Sequence, residues 1–96
     1  MFEIRETEAF VAFIKKLKDR RAVARITARI DRLRVGNPGD VKPVGKGVSE
    51  LRINYGPGYR VYYTQVGTKV IILLVAGDKS SQEKDIKVAQ RLAKEY

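Results

Sequence analysis

Ninety-six residues, with no cysteine and no histidine, carry 20 Lys+Arg against 11 Asp+Glu for a formal net charge of +9. That length supports one domain, residues 1–96, with one modest core. The missing residue types exclude a disulfide framework, a thiolate zinc site and histidine-based acid–base chemistry. The charge predicts an acidic or phosphate-rich partner. No apolar run is long enough for a membrane span and no basic-then-apolar leader comes first, so a cytoplasmic protein that does not engage a membrane is expected. Glu50 and Asp78 are the only candidates for a two-ion site and are not paired at strand ends, so neither metal nor cofactor is expected.

In chain order, Phe2 and Ile4 alternate with charge and predict a short first strand. Thr7 then suits an N-cap with Glu8 in the first turn, and Phe10, Phe13, Ile14 and Leu17 form one apolar stripe of a helix ending near Lys18-Asp19. A second helix is predicted from about Arg20 to Val35, with Val23, Ile26, Ile30 and Leu33 inward and Gly36 at its end. Asp40 to Gly47, with Pro43, Gly45 and Gly47, reads as a loop. From there to Lys79 the pattern is three strands. Leu51, Ile53 and Tyr55 alternate with Arg52 and Asn54, and Gly56-Pro57-Gly58 turns the chain with Pro57 and Gly58 as the central pair. Tyr59 to Gln65 returns, Val66-Gly67-Thr68 turns again, and Val70 to Val75 is apolar throughout, as in a strand covered on both faces. After the polar stretch Gly77 to Gln82, a last helix to Lys94 carries Ile86, Ala89, Leu92 and Ala93 on one side, capped by Ser80 or Ser81. The expected order is β-α-α-β-β-β-α, an α+β fold dominated by an antiparallel twisted sheet, with an N-terminal helical hairpin and a C-terminal helix.

Arg21, Arg25, Arg29 and Arg32 fall in one band of the second helix, and residues 15–34 hold nine basic side chains against two acidic ones. Such a band is either a solvated face or a phosphate-tracking surface; the scarcity of acidic partners favours the second. Arg52 and Arg60 lie on adjacent strands, so equal facing brings them together. A guanidinium is planar, permanently charged and forked, and can grip two phosphate oxygens. Tyr59 and Tyr62 either pack within the sheet or stack an unpaired base, and Gln82 and Asp78 either serve the last helix or a ligand.

Leu51-Arg52-Ile53, Gly58-Tyr59-Arg60-Val61-Tyr62-Tyr63, and Gly77-Asp78-Lys79-Ser80-Ser81-Gln82 with Asp85-Ile86 and Ala89 resemble the RelE/ParE superfamily of toxins from toxin–antitoxin modules, and among them the HigB-like addiction module killer proteins. The resemblance spans essentially the whole chain. It implies a metal-independent endoribonuclease that cleaves mRNA on the ribosome, arrests growth and is neutralised by a cognate helix-turn-helix, HigA-like antitoxin. It also implies catalytic roles for Arg60, Arg52 and Lys79; with such a substrate, Tyr59, Tyr62, Gln82, Arg25 and Arg29 are the residues expected along the RNA. Two alternatives stand beside it: a ParE-like protein that binds and poisons DNA gyrase, and a non-toxic basic RNA-binding module. The last helix has Asp85 where many such toxins have tyrosine.

Overall fold

The computed structural model describes residues 1–96. Its elements are β1 (Glu3–Glu6), α1 (Glu8–Lys16), α2 (Arg20–Arg34), β2 (Val41–Gly45), β3 (Val48–Ile53), β4 (Tyr59–Val66), β5 (Val70–Asp78), a 3-10 turn (Lys79–Ser81) and α3 (Gln82–Ala93). This is the expected α+β order with one strand added. The five strands form one sheet in the order β1-β5-β4-β3-β2. Strands β2 to β5 make an antiparallel meander, and β1 joins β5 in parallel, with Ile4 opposite Ile71.

The added strand is β2, within the stretch expected to be a loop. An edge position explains why Pro43 and Gly45 are tolerated there, since an edge strand can lack a donor toward solvent. The register of β2 slips between Pro43 and Gly45, and Lys46 and Gly47, both at positive φ, make a two-residue hairpin turn into β3. The turn between β3 and β4 sits one residue earlier than expected. Gly58 N–H donates to Tyr55 C=O at 3.1 Å, so Gly56 and Pro57 are the central pair, with Gly56 supplying the positive φ of 55°.

Helices cover both faces. Thr7 Oγ1 accepts from Phe10 N–H to start α1, and Asp19 accepts from Arg21 and Ala22 N–H to start α2. On their side, Phe10, Ala22, Ile26, Ile30 and Leu33 pack on Leu51, Ile53, Tyr59, Val61, Tyr63, Ile71 and Leu73. Ile26, Ile30 and Leu33 are buried as expected, but Ala22 takes the buried place expected for Val23, which is half-buried. The α3 face is smaller, with Val48, Tyr62, Ile72, Leu74, Val75 and Ala89. Full burial of such aliphatic and aromatic side chains contributes roughly 1.5–3 kcal/mol each, so the helical-hairpin face, with 12 buried residues against 6, supplies the larger share of the hydrophobic term. β5, an interior strand between β1 and β4, is buried along most of its length on both faces, as its apolar run predicts. Val48 and Tyr62 belong to the α3 side, and alternation therefore places Glu50, Arg52 and Arg60 on that same face.

Where α3 begins, β5 can approach it only because residue 77 has no side chain. A Cβ on Gly77 would collide with Asp85 Oδ2 and come within 2.8 Å of Ser81 Oγ, two atoms already hydrogen-bonded to each other at 2.6 Å. Gly77→Ala is therefore expected to cost about 1–3 kcal/mol in urea unfolding, as overpacked cores do. In an Asp85→Ala background the same substitution should cost markedly less; an undiminished penalty would place the strain elsewhere.

Candidate functional site

Arg52 and Arg60 are register partners, directly opposite each other on β3 and β4. Like charges so placed repel. Each arginine, however, has its own carboxylate. Asp40, just before β2, accepts from Arg52 Nε at 3.1 Å and Nη2 at 2.9 Å through Oδ1. Its backbone carbonyl accepts from Arg52 N–H at 3.0 Å and from Arg29 Nη2 at 3.1 Å, which fixes the carboxylate in place. Glu50 lies beneath Arg60, fully buried, with Oε2 3.6 Å from Arg60 Nε.

Lys79 completes the group from the 3-10 turn. Asp78 sets that turn by accepting from Ser80 N–H at 2.8 Å and from the Ser80 hydroxyl, which hold its carboxyl below its ordinary value. Ser81 makes no capping hydrogen bond at the start of α3; its hydroxyl donates to Asp85 instead. Arg52, Arg60 and Lys79 thus line one cleft of about 390 Å³ with Asp40, Ile53, Asn54, Gly56, Pro57 and Gly58. Ile53 is the one aliphatic side chain among them and Asp40 the one carboxylate. Gly58 is needed at the wall, because its φ is +82° and a Cβ there would stand 3.3 Å from Arg60 Nη1. Its carbonyl accepts from that same Nη1 at 2.9 Å.

The remaining sequence candidates divide. Gln82 lies beside the cleft, in a neighbouring hollow that also includes Lys79, and donates to Glu50 at 2.8 Å. Tyr62 is not available to a base. It is fully buried and donates its hydroxyl to Glu50 at 2.9 Å, and burial, with the Glu50 carboxylate second, pushes the phenol well above its ordinary value. Tyr59 points into the opposite core and meets Phe13 edge-on with ring centres 6.4 Å apart. Arg29 is occupied: its guanidinium donates to the carbonyls of Arg52, Pro38 and Asp40. Arg25 is exposed and lies over the Tyr55 ring at 4.7 Å, lining with Arg29 and Arg32 a shallow groove that meets the cleft at Ile53 and Asn54. Pattern reading missed Asp40, and weighed Glu50 only as a metal ligand and not as the counter-charge of Arg60. The signal for Glu50 was its place between Val48 and Arg52 on one strand face, where a charged residue one step from a core position has to be paired. No three His, Cys, Asp or Glu side chains stand together as a metal site.

Comparison with known proteins places these residues in a family. The family model described as phage derived protein Gp49-like (DUF891) matches residues 12–94. An uncharacterized protein of Haemophilus influenzae is 52% identical over 93 residues, covering 97% of this chain and 94% of its own. No helix is long and apolar enough to cross a membrane.

Asp19 ties the start of α2 to the turn between β3 and β4, since it caps α2 and accepts from the Tyr55 hydroxyl at 3.1 Å. The Ala22 N–H, then Tyr55 and the Arg21 N–H, hold its carboxyl below the usual value. A group depressed on folding adds stability above its unfolded pKa and loses it as pH falls through the folded one. The melting temperature of Asp19→Ala should therefore lie below that of the unsubstituted chain at neutral pH, and the gap should close on acidification through the carboxylate range. A gap independent of pH would mean that the charge of Asp19 has no part in it.

Proposed function

The chain belongs to the phage-derived Gp49-like family, and from that premise we propose that it is the toxin of a toxin–antitoxin module, related to the RelE/ParE and HigB-like killer proteins, which cleaves mRNA on the ribosome. The observation that carries this reading is the cleft itself, where two guanidiniums from facing strands and one ammonium surround a polar hollow. Metal-independent RNA cleavage needs little more. The substrate's 2′-hydroxyl attacks the adjacent phosphorus, the bond to the 5′-oxygen breaks, and a 2′,3′-cyclic phosphate and a free 5′-hydroxyl result. One proton leaves the attacking oxygen and one reaches the departing oxygen.

Arg52 and Arg60 suit the charge that grows on the phosphorane oxygens: Arg60 is held in place before substrate arrives, and Arg52, in an exposed ion pair, can turn to the phosphate. Lys79 can donate to the departing oxygen or add to that charge. Asp40, the one carboxylate on the wall, is the side chain there that can accept a proton once a phosphate draws Arg52 away. Alignment of the 2′-hydroxyl is left to the ribosome, which holds the message. The groove of Arg25, Arg29 and Arg32 continues from the cleft and would follow the sugar–phosphate backbone, with the exposed Arg25 and Arg32 as its contacts. An antitoxin of helix-turn-helix type, offering acidic surface to a protein of net charge +9, is the expected partner.

Mapping of RNA 5′ ends after induced expression tests the reading. New 5′-hydroxyl ends are expected within translated sequence, insensitive to chelators in a reconstituted reaction, while DNA stays whole because it lacks the 2′-hydroxyl. DNA breaks without new RNA ends would instead favour gyrase as the target. Arg60→Ala is a poor control because it leaves Glu50 buried without its counter-charge. Arg52→Ala removes an exposed ion pair worth only about 0–1 kcal/mol, so it should abolish cleavage with the melt nearly unchanged. Arg60→Lys should also be impaired, since a point charge does not replace the fork.

A further inference from the structure

Glu50 is the least explained residue of the chain. It is a fully buried carboxylate on the sheet face where Val48, Tyr62, Ile72 and Leu74 pack toward Ala89 of α3, and an aliphatic side chain would fit that core. Removing a carboxylate from water is costly unless its lone pairs are satisfied. Here the satisfaction is partial. Oε2 takes the Tyr62 hydroxyl at 2.9 Å and the Gln82 amide at 2.8 Å, while Oε1 is buried with no partner. Arg60 Nε, 3.6 Å away and beyond hydrogen-bond range, is buried and unpartnered as well.

We propose that Glu50 is a positioning residue for Arg60: anchored by Tyr62 and Gln82, it holds the ε edge of the guanidinium by charge, Gly58 C=O holds Nη1, and Nη2 is left as the nitrogen presented to a phosphate in the cleft. This rests on the reading that Arg60 grips the scissile phosphate. Three observations support it together. Arg60 Nη1 is committed to Gly58, Nη2 has no protein partner, and the side chain is only 13% exposed although it lines the cleft. An arginine facing a second arginine would otherwise swing toward solvent. Glu50 opposes that swing without capping the nitrogen it holds. Its anchors come from the neighbouring strand and from the start of α3, so the orientation of Arg60 is set by three separate elements. Gln82 and Tyr62, expected from the sequence to touch RNA, then serve the site through this carboxylate.

The test pairs kinetics with a readout that needs no substrate. In Glu50→Gln, which keeps shape and removes charge, the Arg60 Nε–Hε NMR signal should lose its order, with faster rotation about Cζ–Nε than in the unsubstituted chain. On ribosomes programmed with a short message, kcat should fall roughly 10- to 100-fold, the scale of a misplaced reacting group, while KM changes little. Affinity for an all-deoxy oligonucleotide should hold or rise, because one negative charge under the cleft is gone. A purely structural role would lower the melting temperature and leave Arg60 order, kcat per folded molecule and KM unchanged, and that result overturns the proposal. Should Glu50→Gln not fold, Glu50→Asp keeps the charge and shortens the reach, and is expected to loosen Arg60 in the same way. If the unsubstituted chain cleaves no message, yet the substitution still frees the Arg60 signal, the functional reading fails and the positioning role stands. An unchanged Arg60 signal refutes the positioning role whatever the activity.

Discussion

Two guanidiniums set directly opposite each other across one pair of strands are the constraint to which the rest of this structure answers. Left alone, Arg52 and Arg60 would push the ends of β3 and β4 apart. The fold meets that repulsion from two directions. From the side of the sheet edge comes Asp40, held where it is by Arg29 of α2. From beneath comes Glu50, which could not be buried unless α3 covered it and Tyr62 and Gln82 satisfied it. The helical hairpin and the last helix therefore each secure one counter-charge, through Arg29 and Gln82. The strand turn, with its positive-φ glycines, delivers the carbonyl that catches Arg60.

The two pairs differ in kind. Arg52 and Asp40 are exposed by 38% and 54% of their side chains, so their attraction is screened by water and easily exchanged for a ligand's. Arg60 over Glu50 is nearly dry, where charges feel each other strongly and side chains have little freedom. The cleft thus combines a fixed cation with an adaptable one. An incoming phosphate can recruit Arg52 by displacing Asp40 and meets Arg60 already in place, which lowers the ordering cost at the moment of binding.

Much of this was legible in the chain. The caps at Thr7 and Gly36, the stripes of α1 and α3, and the apolar run of β5 are local signals, and they place the elements correctly. The convergence of Arg52 and Arg60 was legible only on the condition of equal facing, which the register set by the Gly56-Pro57 turn supplies. What alternation could not show was which tyrosines are covered. A strand buried on both faces has no polar side to reveal, so Tyr59 and Tyr62 read as possible contacts although they are core. β2 was hidden by Pro43 and its glycines, which are strand breakers except at an edge, and edges are a property of the whole sheet. The partners of Arg29 were hidden for the same reason, being backbone carbonyls that no side-chain pattern announces.

Because β1 lies in parallel beside β5, the start of the chain takes its place only after the centre of the sheet exists; Thr7, at the end of β1, bonds to Leu74, 67 residues away. Hairpins such as β3–β4 close over a few residues, whereas this closure spans most of the molecule and carries a larger, if slowly growing, entropic cost. The two arginines are therefore brought face to face early in folding, by a local turn. The strand that delivers Lys79 and the helix that delivers Gln82 join them only as the long-range contacts form. Until then Glu50 is still hydrated and Arg60 is free to rotate, so a partly folded chain carries the charges of the cleft without its geometry.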